Sequence, residues 1–443
     1  MKTLNTWMAA AVAVFTLAAQ AAELPQVECD VLVVGGGSAG ICAAVQSSRA
    51  GAKTVLVEAA HQVGGNTTTG GVNFPGLFHA WGKQVIAGVG WEITTNTVGL
   101  GGGTLPDFSQ PTGKKHWKHQ VTVSIPLFVA LAEEALQTAG VTVHYHAAPA
   151  RVEAAAEGGW RVRTTAAGDT RTILCKQIVD CSGNGAVAAL LKLTRLREEE
   201  RQPGSFAYKF NAGTDLSKLD GKALQARFNE AVKAGIIRKS DCRYEALAFL
   251  RAGGDVGNYV VDADNSDADL RTETNMRGRA SMLRMYRFLK TVPGLENIRM
   301  ETMAPEVGIR ETYRVLGEHL ITQEDYTSGR RWEDSLCYAF YPIDLHDKGT
   351  GVKPAHLEEG VVATVPLRAM IPKGSANLLV AGRCLSSDRL ANSALRVQAT
   401  CMATGQAAGA AAALAARSGV TPGKVSAAEI RALLRQSGAI VPE

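Results

Sequence analysis

The most regular hydrophobic pattern in the chain lies near its start. Residues 29–34 are almost all apolar, which predicts a short parallel strand buried on both faces. Small and apolar residues from Ile41 onward predict a helix, and residues 54–57 form a second apolar run of strand length. This alternation of strand, helix and strand predicts an α/β fold built on a parallel sheet.

A glycine-rich turn separates the first strand from the first helix. Gly35, Gly37 and Gly40 have the spacing G-x-G-x-x-G, with Ser38 and Ala39 inside the motif. The first glycine permits a tight turn, the second lets the backbone approach a pyrophosphate, and the third lets the helix pack closely on the strand. The phosphate charge would then lie at the N-terminus of the helix.

An acidic residue closes the second strand of this unit. Glu58 follows residues 54–57, where a carboxylate accepts hydrogen bonds from both hydroxyls of an adenosine ribose. The same carboxylate repels a ribose phosphate, which disfavours NADP. The order of strand, glycines, helix, strand and acid therefore predicts a Rossmann-like dinucleotide-binding domain.

The segment after Glu58 favours FAD over NAD. A long FAD needs unobstructed backbone between its adenosine and isoalloxazine ends, and glycine and threonine supply it. The sequence here resembles the two-dinucleotide-binding-domain flavoproteins, which place a Gly-Gly pair at this distance from the ribose acid. The cofactor-binding residues predicted in this segment are Gly64, Gly65, Asn66, Thr67, Gly70 and Gly71.

Two later strand-turn segments and one helix fit the same resemblance. Residues 178–185 enter a turn at Gly183, although Ser182 and Asn184 depart from the usual Thr-Gly-Asp-Gly, and residues 377–383 end in Gly382 and Arg383. The resemblance implies that the second turn approaches the pyrophosphate and ribityl chain, with Arg383 supplying positive charge. The small-residue helix predicted over 396–409 begins with Arg396 and Val397. The resemblance implies that its N-terminus faces the flavin N1–C2=O edge and stabilises reduced flavin.

Three further segments indicate which flavoproteins the sequence resembles, namely residues 74–86, 310–317 and 365–374. Over about residues 28–415 the chain resembles bacterial FAD-dependent oxidoreductases related to the fumarate reductase/succinate dehydrogenase flavoproteins. Ser-Ala-Leu-Arg-Val at 393–397 replaces the Gly-Ser-Ile-Arg-Val of many relatives, which implies an altered substrate side. No histidine lies within 64–71, where some relatives link flavin covalently, so we expect non-covalent FAD.

The domain organisation follows from where these motifs lie. The chain of 443 residues exceeds one hydrophobic core, which predicts more than one domain. We expect a discontinuous FAD-binding domain over 28–80, 120–210 and 365–443, and a cap domain with substrate contacts over 211–364. Ligands of such folds bind at the carboxyl ends of the strands and between domains.

Three residues are candidates for catalysis. Arg310 and Arg314 would share one face if their segment were helical, and either could clamp a substrate carboxylate or polarise a carbonyl. Glu311 offers a structural ion pair as the alternative. His79 could act as the acid–base residue, although a packed histidine is the commoner role for its position. His116 and His119 form an H-x-x-H without carboxylate or cysteine, so we expect a surface turn and no metal.

Residues 1–21 have the form of a secretory signal peptide. A basic start, a short apolar run and small residues at Ala19 and Ala21 predict export to the periplasm or medium, with no stable membrane insertion after cleavage. The eight cysteines are scattered, which argues against a disulfide framework and leaves one or two bridges open. The net charge of +5 without a basic block gives no support to a nucleic acid partner.

These features together predict an exported FAD-dependent oxidoreductase. We expect hydride transfer between flavin N5 and a small polar organic substrate, with a further electron acceptor as the second partner. The alternatives are an isomerase or hydratase that requires bound FAD without net redox change, and a ligand-binding flavoprotein without turnover. Bleaching of the flavin by substrate would distinguish the first hypothesis from both.

Overall fold

The computed structural model describes residues 26–443 except 114, 167–168, 256, 348–350 and 353–354. The predicted signal peptide lies outside the described residues. The strands, numbered in chain order, are β1 Gln26–Val34, β2 Thr54–Val57, β3 His79–Ala80, β4 Lys83–Gln84, β5 Thr142–His144, β6 Ala148–Ala154, β7 Trp160–Ala166, β8 Asp169–Asp180, β9 Arg195–Leu196, β10 Tyr208–Asn211, β11 Gly254–Asp255, β12 Arg299–Met303, β13 Arg314–Val315, β14 Ser335–Ala339, β15 His346–Asp347, β16 Gly351–Val352, β17 Ala363–Pro366 and β18 Leu378–Val380.

The α-helices complete the secondary structure. They are α1 Ser38–Arg49, α2 Val89–Leu100, α3 Ile125–Ala139, α4 Ala186–Leu190, α5 Gly221–Lys233, α6 Ala246–Arg251, α7 Ala268–Leu289, α8 Gln323–Thr327, α9 Arg389–Leu395, α10 Gln398–Ser418 and α11 Ala427–Gln436.

The largest sheet is mainly parallel and contains the predicted strands. Its order is β5-β2-β1-β8-β7-β6, and β18 pairs with the carboxyl-terminal end of β8. Strands β5, β2, β1, β8 and β18 run parallel, whereas β7 and β6 form an antiparallel extension. The register places Val33 of β1 beside Leu56 of β2 and Val179 of β8. The α/β, Rossmann-like fold predicted from the sequence is confirmed.

The apolar run of β1 is explained by burial on both faces of the sheet. Val31 and Val33 belong to a core that includes α1 and α10, whereas Leu32 and Val34 belong to a separate core with β6 and β7 on the opposite face. Because successive strand residues point to opposite faces, a strand covered on both sides needs apolar residues throughout. This requirement distinguishes β1 from the alternating pattern of a half-exposed strand.

Helices α1 and α10 pack with almost no space between their backbones. A Cβ atom on Gly405 would lie 2.0 Å from the carbonyl oxygen of Ala39, and one on Gly409 would lie 2.3 Å from that of Ala43. Contacts of this length are impossible for real atoms, so the two helices could approach this closely only with glycine at both positions. The small residues predicted for this helix therefore bring α10 directly against the helix that follows the glycine turn.

Replacing Gly405 with alanine should destabilise the protein, since the added methyl group meets backbone that has no flexible atom to move. We expect the free energy of unfolding to fall by about 1–3 kcal/mol, the usual cost of overpacking. Gly99 in α2 is the matched control because nothing lies within 4 Å of the position that its Cβ would take. Gly99→Ala should be neutral or stabilise by about 0.5–1 kcal/mol. Urea denaturation of both variants tests this, and equal effects would contradict it.

A second hydrophobic core lies between residues 206 and 309. It is formed by the three-stranded sheet β11-β10-β12 together with α5, α6 and α7. Phe228 of α5, Phe249 of α6 and Phe288 of α7 are among its buried side chains. Residues 321–365 contribute instead to the core that contains α1 and α10. The division into an FAD-binding domain and a cap over 211–364 stays a prediction.

Several local predictions can be compared directly with the structure. The strands at 54–57 and 178–180 are confirmed. The segment at 310–317 is not helical, since Arg310 lies in a loop and Arg314 on β13, so the two arginines do not share a helix face. The sequence Ser-Ala-Ala-Glu at 426–429 predicts a capping box. This prediction is wrong, because Ser426 precedes α11 but its side chain makes no cap hydrogen bond.

All eight cysteines are free thiols, and seven of them are buried. They therefore act as small apolar residues in this structure and cross-link nothing. Among the described residues, no helix is both long and apolar enough to cross a membrane.

Candidate functional site

A deep cleft opens where four parallel strands end. Gly35 follows β1, Glu58 follows β2, Cys181 follows β8 and Gly382 lies just beyond β18, and all four residues line the cleft. Its volume is about 300 Å³. The carboxyl ends of neighbouring parallel strands are the usual ligand site of such a sheet.

The glycine triplet has the geometry that its spacing predicts. Gly35 has a φ of +95°, and a Cβ there would lie 2.6 Å from the carbonyl oxygen of Cys181. A Cβ on Gly40 would lie 1.7 Å from the carbonyl oxygen of Gly35, so helix and turn are in direct contact. Gly37 differs, because a Cβ on this residue would have the Cα of Gly65 as its nearest atom, at 4.0 Å. The space beside Gly37 is therefore open for a ligand.

Glu58 lies in the cleft with its carboxylate held by backbone. It accepts hydrogen bonds from the N–H of Gly36 at 2.5 Å and of Ala60 at 2.7 Å. Burial nevertheless raises the pKa of Glu58 above its ordinary 4.5, against these bonds and the nearby charge of Arg271, while Glu306 reinforces the rise. The ionised carboxylate thus has unmet capacity to accept hydrogen bonds, which two ribose hydroxyls can supply.

We expect FAD affinity to fall as the pH is lowered through the raised pKa of Glu58, beginning above 4.5. Protonation removes acceptor capacity for the ribose, so affinity is present above that pKa and lost below it. The stability of the cofactor-free protein depends on pH in the opposite sense. Because folding raises the pKa of Glu58, the protonated carboxyl favours the folded state, and this contribution is lost as the pH rises. Glu58→Gln should bind FAD about 10-fold more weakly without this pH step. Fluorescence titration with FAD measures both, and an unchanged step in the variant would contradict the assignment.

Most of the predicted cofactor residues come together in the cleft. Those that line it are Gly35, Gly37, Ser38, Ala39, Glu58, Gly65, Asn66, Gly70, Gly183, Gly382, Arg383 and Arg396. The others lie behind its surface, namely Gly40, Gly64, Thr67, Gly71 and Val397. Thr67 is an example of this second group, because its buried hydroxyl donates to Gln398 at 2.5 Å and lies 3.2 Å from the Ser38 hydroxyl. The individual cofactor contacts of all these residues stay predictions.

Sequence reasoning missed the lining residues that come from distant segments. Asn265, Arg271, Glu306 and Gln398 line the cleft, and Arg271 forms an ion pair with Glu306. The first three precede, lie on or follow α7, far along the chain from the glycine motif. No local motif marks these three residues, so only their spatial position could have identified them, whereas Gln398 lies in the helix predicted over 396–409.

Arg383 connects three parts of the cleft wall. Its guanidinium donates to the carbonyl oxygens of Gly183 and Ile309, each at 2.8 Å, and lies 3.5 Å from the Asn265 side chain. Burial lowers the pKa of Arg383. Its donors thus hold the turn after β8 against the loop before β13, while its charge remains beside the cleft.

The start of α10 also lies at the cleft. Arg396 is the C-cap of α9 and Val397 the N-cap of α10, which begins at Gln398, so the predicted long helix starts slightly later than expected. Gln398 donates to the carbonyl oxygen of Val72 at 2.8 Å and fixes this end of the helix. The N–H of Ala399 in the first turn donates to the carbonyl oxygen of Pro75 at 2.8 Å, and the N-terminal end of the helix carries partial positive charge beside the cleft.

Beyond Arg396 lies a buried group of charged side chains. One Nη atom of Arg396 donates to the side chain of Gln202 at 3.2 Å and to the backbone oxygen of Asp344 at 3.0 Å, and it lies 3.5 Å from the Asp344 carboxylate. Arg310 donates to the carbonyl oxygen of Pro203 at 2.6 Å and to the hydroxyl of Ser205 at 3.0 Å. Burial, together with the charges of Arg396 and Arg243, lowers the pKa of Arg310 to about 9. The positive charge of Arg310 is therefore electrostatically unfavourable in this buried position.

Asp344 contacts a histidine within the same group. Its Oδ2 lies 2.9 Å from Nε2 of His346, and the other ring nitrogen of His346 lies 2.8 Å from the hydroxyl of Tyr259. Burial alone would raise the pKa of Asp344, but the bond to His346 and the charge of Arg396 hold it well below 3.8. Burial and Arg310 lower the pKa of His346 to about 3, so the imidazole is neutral. Sequence analysis did not identify Tyr259, Asp344 or His346, which lie outside every motif.

The two other predicted catalytic residues lie elsewhere. His79 stacks on Phe108 with ring centroids 3.7 Å apart and is not among the residues lining the cleft. Burial and His119 lower the pKa of His79 to about 4. Arg314 is paired with Glu198 at 2.6 Å and is likewise absent from the lining. Of the three candidates, only Arg310 belongs to the charged group beside the cleft.

The fold and the cleft define a dinucleotide-binding protein of the Rossmann-like α/β class. A family model described as FAD dependent oxidoreductase matches residues 30–434, so the chain belongs to this family. No protein among the curated sequences matches.

Solved structures that resemble the chain do so at low identity. A geranylgeranyl bacteriochlorophyll reductase-like protein from Thermoplasma acidophilum has 12% identity to this chain and a TM-score of 0.44. The matched region covers 93% of this chain and 84% of the length of that protein. The p-nitrophenol 4-monooxygenase from Pseudomonas putida DLL-E4 has 11% identity and a TM-score of 0.38, covering 94% and 87%. Anhydrotetracycline hydroxylase from Streptomyces rimosus has 19% identity and a TM-score of 0.29, and 41% of this chain matches only 38% of that enzyme's length. These likenesses are too distant to assign a substrate.

The residues present fit FAD, which is the cofactor of this family. The open space beside Gly37 and the carboxylate of Glu58 suit a pyrophosphate and a ribose. Three residues that line the cleft also carry buried polar atoms without a partner among the described residues, namely Oγ1 of Thr69, Oδ1 of Asn184 and Nε of Arg396. A bound ligand can supply hydrogen-bond partners to such atoms where they line a cleft. The protein is therefore an FAD-dependent oxidoreductase.

Proposed function

We propose that the protein transfers a hydride between flavin N5 and a small polar substrate that carries a carboxylate. The observation that supports this is the excess of positive charge beside the cleft. Arg310 and Arg396 act on one ionised carboxylate, Asp344, Arg243 adds a third positive charge beside Arg310, and His346 in this group is neutral. The group therefore has a positive charge that an anionic substrate would neutralise.

Two other largely buried arginines are each paired with a carboxylate. Arg314 is paired with Glu198, and Arg389 lies 3.0 Å from Glu311. Within the described part of the chain, neither Arg310 nor Arg243 has a carboxylate within ion-pair distance. Burying a cation without an anion is costly, and proteins retain such groups mainly where a ligand supplies the missing charge.

The side chains divide the work between binding and orientation. Arg310 and Arg396 would bind the substrate carboxylate, and the planar guanidinium suits two parallel hydrogen bonds to it. Gln202 would orient Arg396, to which it is already hydrogen-bonded. Bound FAD supplies a two-electron acceptor at N5. Arg396 lies both in the lining of the cofactor cleft and in the charged group, so a substrate on Arg396 would lie beside the cofactor.

The test is anaerobic mixing of the purified holoprotein with small carboxylic acids while the visible flavin band is recorded. A suitable set contains glycolate, D- and L-lactate, L-malate and succinate, with the corresponding alcohols and amides as uncharged controls. We expect at least one carboxylate to bleach the flavin and its uncharged analogue to fail. Binding of carboxylates without bleaching, while a reduced flavin also fails to transfer electrons to the unsaturated acids, would overturn the redox proposal and favour a non-redox enzyme or a binding protein.

The same proposal includes the relation to a particular group of flavoproteins, the non-covalent binding of FAD and the export of the protein. The motifs at 64–71 and 393–397 support a relation to the fumarate reductase/succinate dehydrogenase flavoproteins, and the absence of histidine from 64–71 supports non-covalent FAD. The pattern of residues 1–21 supports export to the periplasm or medium. N-terminal sequencing of the protein from separated cell fractions tests export, and a full-length cytoplasmic product would contradict it.

A further inference from the structure

Tyr259, His346 and Asp344 form a continuous hydrogen-bonded chain in the buried charged group. The Tyr259 hydroxyl lies 2.8 Å from Nδ1 of His346, and Nε2 of His346 lies 2.9 Å from Oδ2 of Asp344. Arg243 donates to the same tyrosine hydroxyl at 3.3 Å. All three members of the chain are largely buried, so solvent does not compete for these bonds.

The direction of each hydrogen bond follows from the charges. Asp344 is ionised and can only accept, so Nε2 of His346 must carry the ring proton. His346 is neutral, and its Nδ1 is then an acceptor that receives the hydrogen bond of Tyr259. One of the two lone pairs of the tyrosine oxygen faces the N–H of Arg243, which leaves the other lone pair to accept a proton. Tyr259 is thus placed to pass its proton to His346, whose protonated form Asp344 would stabilise.

The hydrogen-bonded chain of Tyr259, His346 and Asp344 is joined to the residues that would bind the substrate. The guanidinium of Arg310 lies 5.6 Å from the centre of the Tyr259 ring. The backbone N–H of His346 donates at 3.1 Å to the same oxygen of Gln202 that accepts from Arg396. The Nε2 of Gln202 and the Nε of Arg396 are buried without partners in the described part of the chain. A hydrogen-bond acceptor for these two donors is therefore missing beside the hydrogen-bonded chain of Tyr259, His346 and Asp344.

A tyrosine that serves only packing is satisfied differently in this protein. Tyr326 is almost fully buried, and its hydroxyl donates to the backbone oxygen of Tyr341 at 2.7 Å and accepts from the backbone N–H of Tyr341 at 2.9 Å. No ionisable side chain is needed there. Tyr259 instead uses a buried histidine and a buried carboxylate, an expensive arrangement for mere packing.

We propose that Tyr259 is the proton-accepting catalytic residue and that His346 and Asp344 position it. This inference rests on the proposed function. When the substrate is oxidised, bound FAD would accept the hydride of the substrate C–H bond. The substrate O–H bond breaks at the same time, its electron pair forms the C=O bond, and its proton forms a new bond to the Tyr259 oxygen. The former Tyr259 proton moves at the same time to Nδ1 of His346, so the charge gained by the imidazole is balanced by Asp344. In the reverse direction the same atoms return the proton.

The first test does not depend on turnover. Nitrogen NMR of the holoprotein labelled with ¹⁵N-histidine reports which ring nitrogen of His346 is protonated, and His346→Gln identifies its signals. We expect a protonated Nε2 and a hydrogen-bonded, unprotonated Nδ1, and Tyr259→Phe should shift the Nδ1 signal toward that of a free acceptor. A proton on Nδ1, or signals that do not respond to Tyr259→Phe, would overturn the relay whatever the substrate proves to be.

The second test uses single-turnover flavin bleaching by whichever hydroxy acid is active. Tyr259→Phe should slow bleaching about 10²–10⁴-fold, the usual contribution of general acid–base catalysis, with little change in substrate affinity. Its solvent deuterium effect should also disappear, which a purely structural defect would not cause. Asp344→Asn should slow the same step through His346. Tyr313→Phe is the matched control, since Tyr313 also contacts arginines but does not belong to the hydrogen-bonded chain of Tyr259, His346 and Asp344.

The outcomes separate the two proposals. A wild-type flavin that no carboxylate bleaches would refute the proposed function and with it the role of Tyr259. Normal bleaching in wild type and an equally fast Tyr259→Phe would refute the relay alone. A Tyr259→Phe variant that is slow only because it binds substrate weakly would also refute it, since Tyr259 would then be a binding residue.

Discussion

Arg310→Met should abolish carboxylate binding without lowering the stability of the protein. The substitution keeps a long, flexible side chain but removes the charge that we propose binds the substrate. Loss of one partner of a buried, hydrogen-bonded charge pair weakens binding by about 2–5 kcal/mol, or roughly 30-fold to several thousand-fold. Flavin bleaching at low substrate concentration should fall by the same factor.

The stability of this variant distinguishes a binding residue from a structural one. Arg310 makes two short hydrogen bonds, and a structural arginine would lose stability when they are removed. Its burial beside Arg396 and Arg243, however, lowers its pKa to about 9, so the cation itself opposes folding. Replacing a buried charge with an apolar side chain is often neutral or stabilising by about 1–4 kcal/mol. We therefore expect the melting temperature not to fall.

Calorimetry and spectral titration of the holoprotein with the active carboxylate measure both quantities. Arg287→Met is the control because Arg287 is an exposed arginine on α7, and neither quantity should change there. A large fall in melting temperature with intact affinity would contradict the binding role of Arg310. Arg314→Met offers a comparison within the same segment, and we expect it to affect stability more than affinity because it leaves Glu198 unpaired.

Gly37→Ala should remove FAD while leaving the apoprotein folded. Gly37 has a φ of −70° and a ψ of −173°, which any residue adopts, and a Cβ added there would lie 4.0 Å from the nearest atom. The methyl group would therefore meet no protein atom but would occupy the space through which a pyrophosphate approaches the backbone. We expect FAD to bind at least about 100-fold more weakly, which corresponds to roughly 2.7 kcal/mol.

Gly40→Ala is the informative contrast within the same motif. Its Cβ would lie 1.7 Å from the carbonyl oxygen of Gly35, so the helix must move away from the turn. We expect this variant to lose both FAD and stability, whereas Gly37→Ala should lose FAD alone. Measurement of bound flavin after gel filtration, combined with urea denaturation of the apoproteins, separates the two. Equal destabilisation by both substitutions would show that Gly37 also acts through packing.

The cofactor cleft could be predicted largely from sequence because its main parts are local. Gly35, Gly37 and Gly40 lie in one strand-turn-helix unit, where each glycine is required by atoms only a few residues away or by the ligand itself. Glu58 belongs to the next strand, and its position follows from the regular geometry of parallel pairing. Apolar runs that are buried on both sheet faces likewise predict β1 and β2 without knowledge of distant segments.

The capping box at Ser426 and the helix considered for 310–317 show where local patterns are insufficient. A serine followed by a glutamate is compatible with a cap, but the orientation of the serine side chain depends on the surrounding packing. The spacing of Arg310 and Arg314 would matter only in a helix. Strand β13 instead pairs Arg314 with Leu196 of β9, and this tertiary contact determines the backbone.

The sequence by itself determined the α/β class of this protein, its glycine cradle and its acidic ribose site, since these depend on short-range geometry and a repeating hydrophobic pattern. Only the tertiary structure decided which polar residues lie together beside the cleft. Tyr259, Arg310, His346 and Arg396 come from separate segments, and none belongs to a motif with the others. Their chemistry depends on burial and on partners, and both arise only when the chain folds and removes water from among them.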